Sequence, residues 1–207
     1  MFLPILPLLS LPTTLPTSMY VHIPFCRRRC SYCSFAIVPT GPSPNPDLRV
    51  SYVDAVVSEI RDSQPHLTAS LGLPPAPLET LYFGGGTPSL LPAEDLQRIV
   101  SAVSDTYGLS SSCEATVECD PGTFDAGKLR RLKDAGFNRV SLGAQSFDDG
   151  ELERMGRCHT ADDVRRALRD LDEVGGFDVS LDLISAIPGS TLGGWVRTLE
   201  AAAECGV

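Results

Sequence analysis

The chain has 207 residues, 43% of them hydrophobic, enough for one domain with a substantial core or for one and a half domains. A formal net charge of -9, with an isoelectric point near 4.7, argues against a broad basic face for a nucleic-acid backbone. Seven cysteines, an odd number with three of them bunched, fit a secreted disulfide framework poorly and metal-binding thiols in a reducing compartment better.

In chain order, residues 1–19 open with an apolar run interrupted by Pro4, Pro7, Pro12 and Pro16, too broken and too short for a membrane-spanning helix. The run also lacks the Lys or Arg that a targeting peptide carries, and reads as a disordered extension or a degenerate targeting segment. No other segment is apolar and long enough to cross a bilayer. From residue 20 onward β-type runs alternate with helical patterns: YVHIPF (20–25), ETLYF (79–83), EATVEC (114–119), NRVSLGA (138–144) and FDVSLDLI (177–184). Between them Val53, Val56, Val57 and Ile60 share one helix face, and Leu96, Ile99, Val100 and Val103 share another. Pro92 suits a first helical position, and Gly136 suits the stop of the helix carrying Leu129 and Leu132. Thr160 and Asp163 have the spacing of a capping box ahead of Val164, Leu168 and Leu171. Trp195, Leu199 and Ala202 fall on one face of a last helix. The stretches 37–48 and 63–79, rich in proline, read as loops. The pattern predicts an α/β fold with a parallel sheet and right-handed crossovers, in which 20–207 form one core domain.

Chemistry in such sheets and barrels sits at the C-terminal ends of the strands. Each strand aims something useful there. Cys26, Cys30 and Cys33 follow the first strand and Gly84–Thr87 the second, Glu118 closes the third, Gln145 follows the fourth, and Asp182 lies late in the fifth. A tight loop with short spacers supplies three thiolates, one fewer than the four protein ligands of a structural zinc or an ordinary iron–sulfur site. The remaining position is open to a small molecule or, on a zinc reading, to Cys113, Cys119, Cys158 or Cys205. Tyr32 is either a platform for a flat base or a packed aromatic. Arg27, Arg28 and Arg29 either favour the reduced state of an anionic cluster or form a solvated basic turn. Arg157 is a further candidate contact, or a surface charge flanking a helix. His22, in mid-strand, reads as a hydrogen-bonded structural residue.

The CxxxCxxC pattern, with an aromatic residue before its last cysteine, resembles the radical S-adenosylmethionine superfamily. With YFGGGTPSLL, VECDPGTFD, NRVSLGAQSFDDGELERMGRCH and DLISAIPGST, it is similar to the coproporphyrinogen dehydrogenase-like family, which includes HemW heme chaperones. The resemblance covers residues 19–207 and implies a partial (β/α) barrel, with five of the family's six βα units before the chain ends. It implies a 4Fe–4S cluster on Cys26, Cys30 and Cys33, and S-adenosylmethionine against Tyr20, Gly85 and Glu118. Gly86, Thr87, Gln145, Arg157 and Asp182 match positions that hold a second such molecule in the dehydrogenases. Those enzymes carry another cysteine where Phe35 stands here, and a longer arm ahead of the first strand. Both departures place the chain in the HemW-like branch, with heme or porphyrin and an electron donor as partners and no coproporphyrinogen dehydrogenase activity. The other readings are that dehydrogenase, a tRNA-modifying radical enzyme, or an inactive fragment. The implied compartment is the cytoplasm, with a mitochondrion or plastid as the alternative. Ending before a sixth strand also implies an open sheet edge through which chains would self-associate.

Overall fold

The computed structural model describes residues 14–206. Residues 1–13, most of the expected N-terminal extension, lie outside the described residues. Leu15 is buried, and its backbone N–H donates to the Pro74 carbonyl at 2.9 Å. The first strand, β1 (Ser18–Ile23), begins two residues earlier than the sequence pattern suggested. It does not continue through Phe25. Instead Phe25–Cys26 (β2) pairs with Val38–Pro39 (β3) in a separate two-stranded ribbon that frames the cysteine loop.

Helix α1 (Pro46–Leu71) then crosses to β4 (Leu78–Gly85), and a short turn at Pro88–Leu90 leads into α2 (Ala93–Tyr107). After these come β5 (Leu109–Cys119), α3 (Ala126–Asp134) and β6 (Arg139–Gln145). The chain continues through α4 (Asp149–Met155), α5 (Ala161–Val174), β7 (Asp178–Leu183) and α6 (Leu192–Glu204). The order β1-β4-β5-β6-β7 is parallel throughout, and each new strand is added on the same side of the last. A twisted parallel sheet built this way curves into an open barrel wall. β1 and β7 are its two edges among the described residues.

The period of two along each strand sorts the side chains onto two faces. Leu81, Phe83, Val117, Val140 and Leu142 point to the helix layer and are fully buried there against Leu96, Ile99, Leu129, Leu132 and Val164. The opposite, concave face is polar. Across it Arg139 donates to Ser180 Oγ (2.9 Å) and to Thr116 Oγ1 (3.4 Å), Ser141 Oγ donates to Asp182 (3.0 Å), and the Tyr82 hydroxyl donates to Glu118 (2.8 Å).

The helices bring further corrections. Helix α1 starts at Pro46 and runs through Pro65 to Leu71, where loops were expected at 37–48 and from residue 63. Asn45 caps it, accepting from the Asp47 and Leu48 N–H groups, and Pro46 falls at a position where no N–H is needed. Ser63, just ahead of Pro65, donates to the Ile60 carbonyl (2.8 Å) and pairs with the Tyr107 hydroxyl of α2 (2.6 Å), so the helix is tied to its neighbour where the proline removes a bond. Helix α4 had no expectation; Asp148 caps it and Gly156, at φ 76°, ends it. On α6 the inward residues are Gly194 and Thr198, not an apolar stripe of Trp195, Leu199 and Ala202, and Leu199 is 43% exposed. The reason is polar: Thr198 meets the buried Ser146 hydroxyl, which itself donates to the buried Glu151 carboxylate at 2.6 Å.

Candidate functional site

The C-terminal ends of the strands open onto a cleft of about 270 Å³ between the sheet and the cysteine loop. Cys26, Cys30 and Cys33 form its outer wall with Tyr32. Gly85, Gly86 and Thr87 come from the end of β4, and Glu118, Gln145 and Asp182 from β5, β6 and β7. Arg157 arrives from the turn after α4. The structure therefore gathers eleven of the twelve expected residues around one space. Tyr20 is the exception. The residue is 54% exposed, its ring stacks on Tyr82 (centroids 6.1 Å apart), and its hydroxyl donates to His22 Nδ1 at 3.1 Å. Its hydroxyl stands over Gly85, where an added Cβ would meet it at 2.9 Å. His22 Nε2 lies 2.9 Å from the Ala36 carbonyl, an acceptor only, so the ring is held by hydrogen bonds as expected.

The cysteine loop is anchored rather than free. The Ser31 N–H donates to the Met155 carbonyl (3.0 Å) and its hydroxyl to the Arg154 carbonyl (3.3 Å). Arg28 donates to the Gly156 carbonyl at 2.5 Å and to that of Arg157. The Arg154, Met155 and Gly156 carbonyls are ones that the end of α4 leaves without intrahelical partners, and a cation there also meets the negative end of the helix dipole. Arg27 donates to the Gly122 carbonyl, and Arg29 to those of Cys33 and Phe35 at 3.3 Å. The three arginines thus brace backbone, a role that neither sequence-based alternative included.

Close approach explains the glycines. A Cβ on Gly86 would lie 2.6–2.7 Å from backbone atoms of Pro24, Ile23 and Phe25, so the strand end can meet the loop only without a side chain. Gly85, at φ 107°, donates its N–H to Glu118 (3.1 Å). Burial pushes the Glu118 carboxyl above the ordinary carboxylate range, against the opposing pull of the Tyr82 and Gly85 hydrogen bonds. Gln145 sits at φ 67°, a strained conformation for a side chain that folds back over Gly143 at the mouth.

The donor set suits a multi-iron cluster. Thr87 Oγ1 donates to Cys26 Sγ and Arg157 to Cys30 Sγ, both at 3.7 Å. Burial raises the Cys26 thiol and the Thr87 bond lowers it; a bound cation deprotonates a coordinating thiol outright. Among the described residues no three Cys, His, Asp or Glu groups converge as ligands of a single ion. A cubane differs in that each thiolate holds its own iron, so its ligands stand farther apart. Of the cysteines on the zinc reading, Cys113 is in the core, and Cys119 is buried, its thiol pushed up to about 12 by burial.

Sequence reasoning missed Asp120 and His159. Asp120, directly after β5, forms an ion pair with Arg157, and its Oδ1 lies 3.2 Å from Nδ1 of the fully buried His159. The available signal was an acid at a strand's C-terminal end, in the segment CDPGT. Beside the cleft a second, apolar depression is lined by Tyr32, Met155, Ile184, Ala186, Ile187 and Pro188, with Ala186 at φ 57°.

An open parallel βα wall with a three-cysteine loop at its mouth defines a class, and sequence comparison agrees. The chain belongs to the radical SAM superfamily, whose model matches residues 20–202. More particularly, it is 42% identical over 194 residues to the heme chaperone HemW of Synechocystis sp., covering 93% of this chain and 45% of that one. The Escherichia coli heme chaperone HemW is 32% identical over 190 residues, with 91% and 48% covered. Radical S-adenosyl methionine domain-containing protein 1, mitochondrial, of Bos taurus is 33% identical over 199 residues, with 94% and 42% covered. Among solved structures, coproporphyrinogen III oxidase (HemN) from Escherichia coli superposes with a TM-score of 0.79 at 28% identity, covering 94% of this chain and 43% of that one. The chain spans about half the length of the curated relatives it matches.

Proposed function

We propose that Cys26, Cys30 and Cys33 hold a 4Fe–4S cluster whose open iron takes S-adenosylmethionine, in a protein that handles heme as the HemW relatives are named for doing. The observation that carries this reading is the meeting of the cysteine loop with the Gly85–Thr87 turn and Glu118 around one cleft. When bound, such a pair supplies one-electron chemistry on the sulfonium. The chain's own residues bind and orient. The Glu118 carboxylate, presented by Tyr82 and Gly85, suits the ammonium group of the methionyl moiety, with Gly85 allowing close approach and Tyr20 overhead. Tyr32 and the apolar depression beside it suit a flat adenine. Gly86, Thr87, Gln145, Arg157 and Asp182 line the remaining part of the cleft, where a second molecule would sit.

Phe35, 64% exposed at the cleft, stands where the dehydrogenases' further cysteine falls and favours the chaperone over the coproporphyrinogen III dehydrogenase. Supplied anaerobically with reductant, S-adenosylmethionine and coproporphyrinogen III, the reconstituted chain is expected to form no protoporphyrinogen; detectable product returns it to the dehydrogenases. Heme titration followed by its absorption band is the companion test. No helix among the described residues is long and apolar enough to cross a membrane. Cytoplasm and mitochondrion are the compartments to examine, the latter because a Bos taurus relative is named as mitochondrial, and an electron donor is the partner to look for there.

A further inference from the structure

The Arg157 side chain is 12% exposed, and its four terminal N–H groups are all engaged within the protein. One terminal nitrogen donates to Cys30 Sγ (3.7 Å) and to the Tyr32 hydroxyl (3.1 Å). The other donates to the Gly143 carbonyl (2.9 Å) and to the Asp120 carboxylate. Only Nε has no partner, and it is buried. A side chain occupied in this way has little left with which to clamp a ligand's carboxylate. Its position is fixed from behind. Asp120 pairs with the guanidinium, the Asp120 N–H is held by Ser89 Oγ (3.1 Å), and Asp120 Oδ1 faces His159, which is pinned to the Ala144 carbonyl (3.1 Å).

Hydrogen bonds to the sulfurs and nearby net charge set an iron–sulfur potential, because they stabilise the more negative, reduced state. A buried cation acts over a few ångströms with little screening. Among the described residues Cys26 Sγ receives the neutral Thr87 hydroxyl alone, so Cys26 and Cys30 are served unequally.

We propose that Arg157, held by Asp120, is a positioning residue that makes the cluster easier to reduce by placing a fixed cation and an N–H donor on Cys30 Sγ. The inference rests on the cluster reading above. The step concerned is the addition of one electron from an external reductant, dithionite in the test, with no bond made or broken. Arg157 also lines the cleft and touches Tyr32, so a molecule seated there meets the same cation that meets the cluster.

The test is a redox titration of the anaerobically reconstituted native chain and of Arg157→Gln, Arg157→Lys and Asp120→Asn, followed by electron paramagnetic resonance with iron counted in each sample. Iron on the native chain and its loss in Cys30→Ala report on the cluster reading alone. With iron loaded, Arg157→Gln is expected to make reduction at least tenfold less favourable, a midpoint about 59 mV lower for a one-electron couple. Asp120→Asn keeps an acceptor for Arg157 but removes the anion that offsets it, so its midpoint is expected to rise above the native one. Arg157→Lys keeps the charge but cannot span Asp120 and Cys30 together, so its midpoint falls between those of the native chain and the glutamine variant. Should the glutamine variant hold no iron, the lysine variant decides, and the proposal requires its midpoint to lie below the native one. A native midpoint in a loaded Arg157→Gln chain, or in the lysine variant where that alone loads, overturns the proposal.

Discussion

Gly86 has no room for a methyl group, because three backbone atoms of Ile23, Pro24 and Phe25 lie within 2.7 Å of where one would sit. Backbone cannot step aside as a side-chain tip can. Gly86→Ala is therefore expected to cost about 1–3 kcal/mol, in the range of overpacking substitutions, and to loosen the contact between β4 and the loop. Thermal unfolding would show it as a lower midpoint, and an unchanged midpoint would mean that the loop yields freely. Residue types at this scale were largely legible: cysteines, glycines and strand-end acids announce their chemistry by spacing. What a sequence does not display is which partner consumes a side chain. Arg157 reads as a candidate ligand contact, and only the structure shows that it is held by Asp120, Gly143, Tyr32 and Cys30, residues 14 to 127 positions away.

Helix α5 is the element whose start the sequence states most clearly, and both halves of the Thr160–Asp163 capping box form. Thr160→Ala is expected to cost about 1 kcal/mol. The Asp163 carboxyl is held below its ordinary range, first by the Thr160 backbone N–H, then by the Thr160 hydroxyl and Arg166. A carboxyl lowered on folding adds stability that is complete above its unfolded value of about 4 and disappears as pH falls through the folded one. Urea unfolding should thus separate native protein from Asp163→Asn at pH 7 and bring them together as the pH drops below about 4. A gap that is constant with pH would contradict the assignment. The elements misread were those where a tertiary partner outweighs local signals. Pro65 sits inside a helix because Ser63 ties that turn to Tyr107, and the inward face of α6 is polar because Ser146 and Glu151 wait beneath it. The short helix α4 carried its own marks, Asp148 with Glu151 and then Gly156, but only seven residues lie between its caps.

At the scale of the molecule the sheet is covered by helices on one face and presents polar groups on the other, with β7 at an edge among the described residues. No residue of β7 is fully buried, and on α6 Leu192, Val196 and Leu199 are exposed. An unpaired edge and exposed apolar side chains each invite pairing with another chain. The 207-residue chain is expected to self-associate as concentration rises, and Leu192→Lys with Leu199→Lys to reduce that association in size-exclusion chromatography. A native chain that elutes as a monomer at every concentration would contradict this. The architecture matters chiefly because it brings four strand ends and the cysteine loop to a single cleft, and a cluster held there is the claim on which the rest depends. Iron and sulfide analysis after anaerobic reconstitution, repeated on Cys26→Ala, Cys30→Ala and Cys33→Ala, tests that claim most directly. The account predicts about four irons on the native chain, a resonance that changes on adding S-adenosylmethionine, and no stable cluster in any of the three variants. A full complement of iron in Cys30→Ala would contradict it.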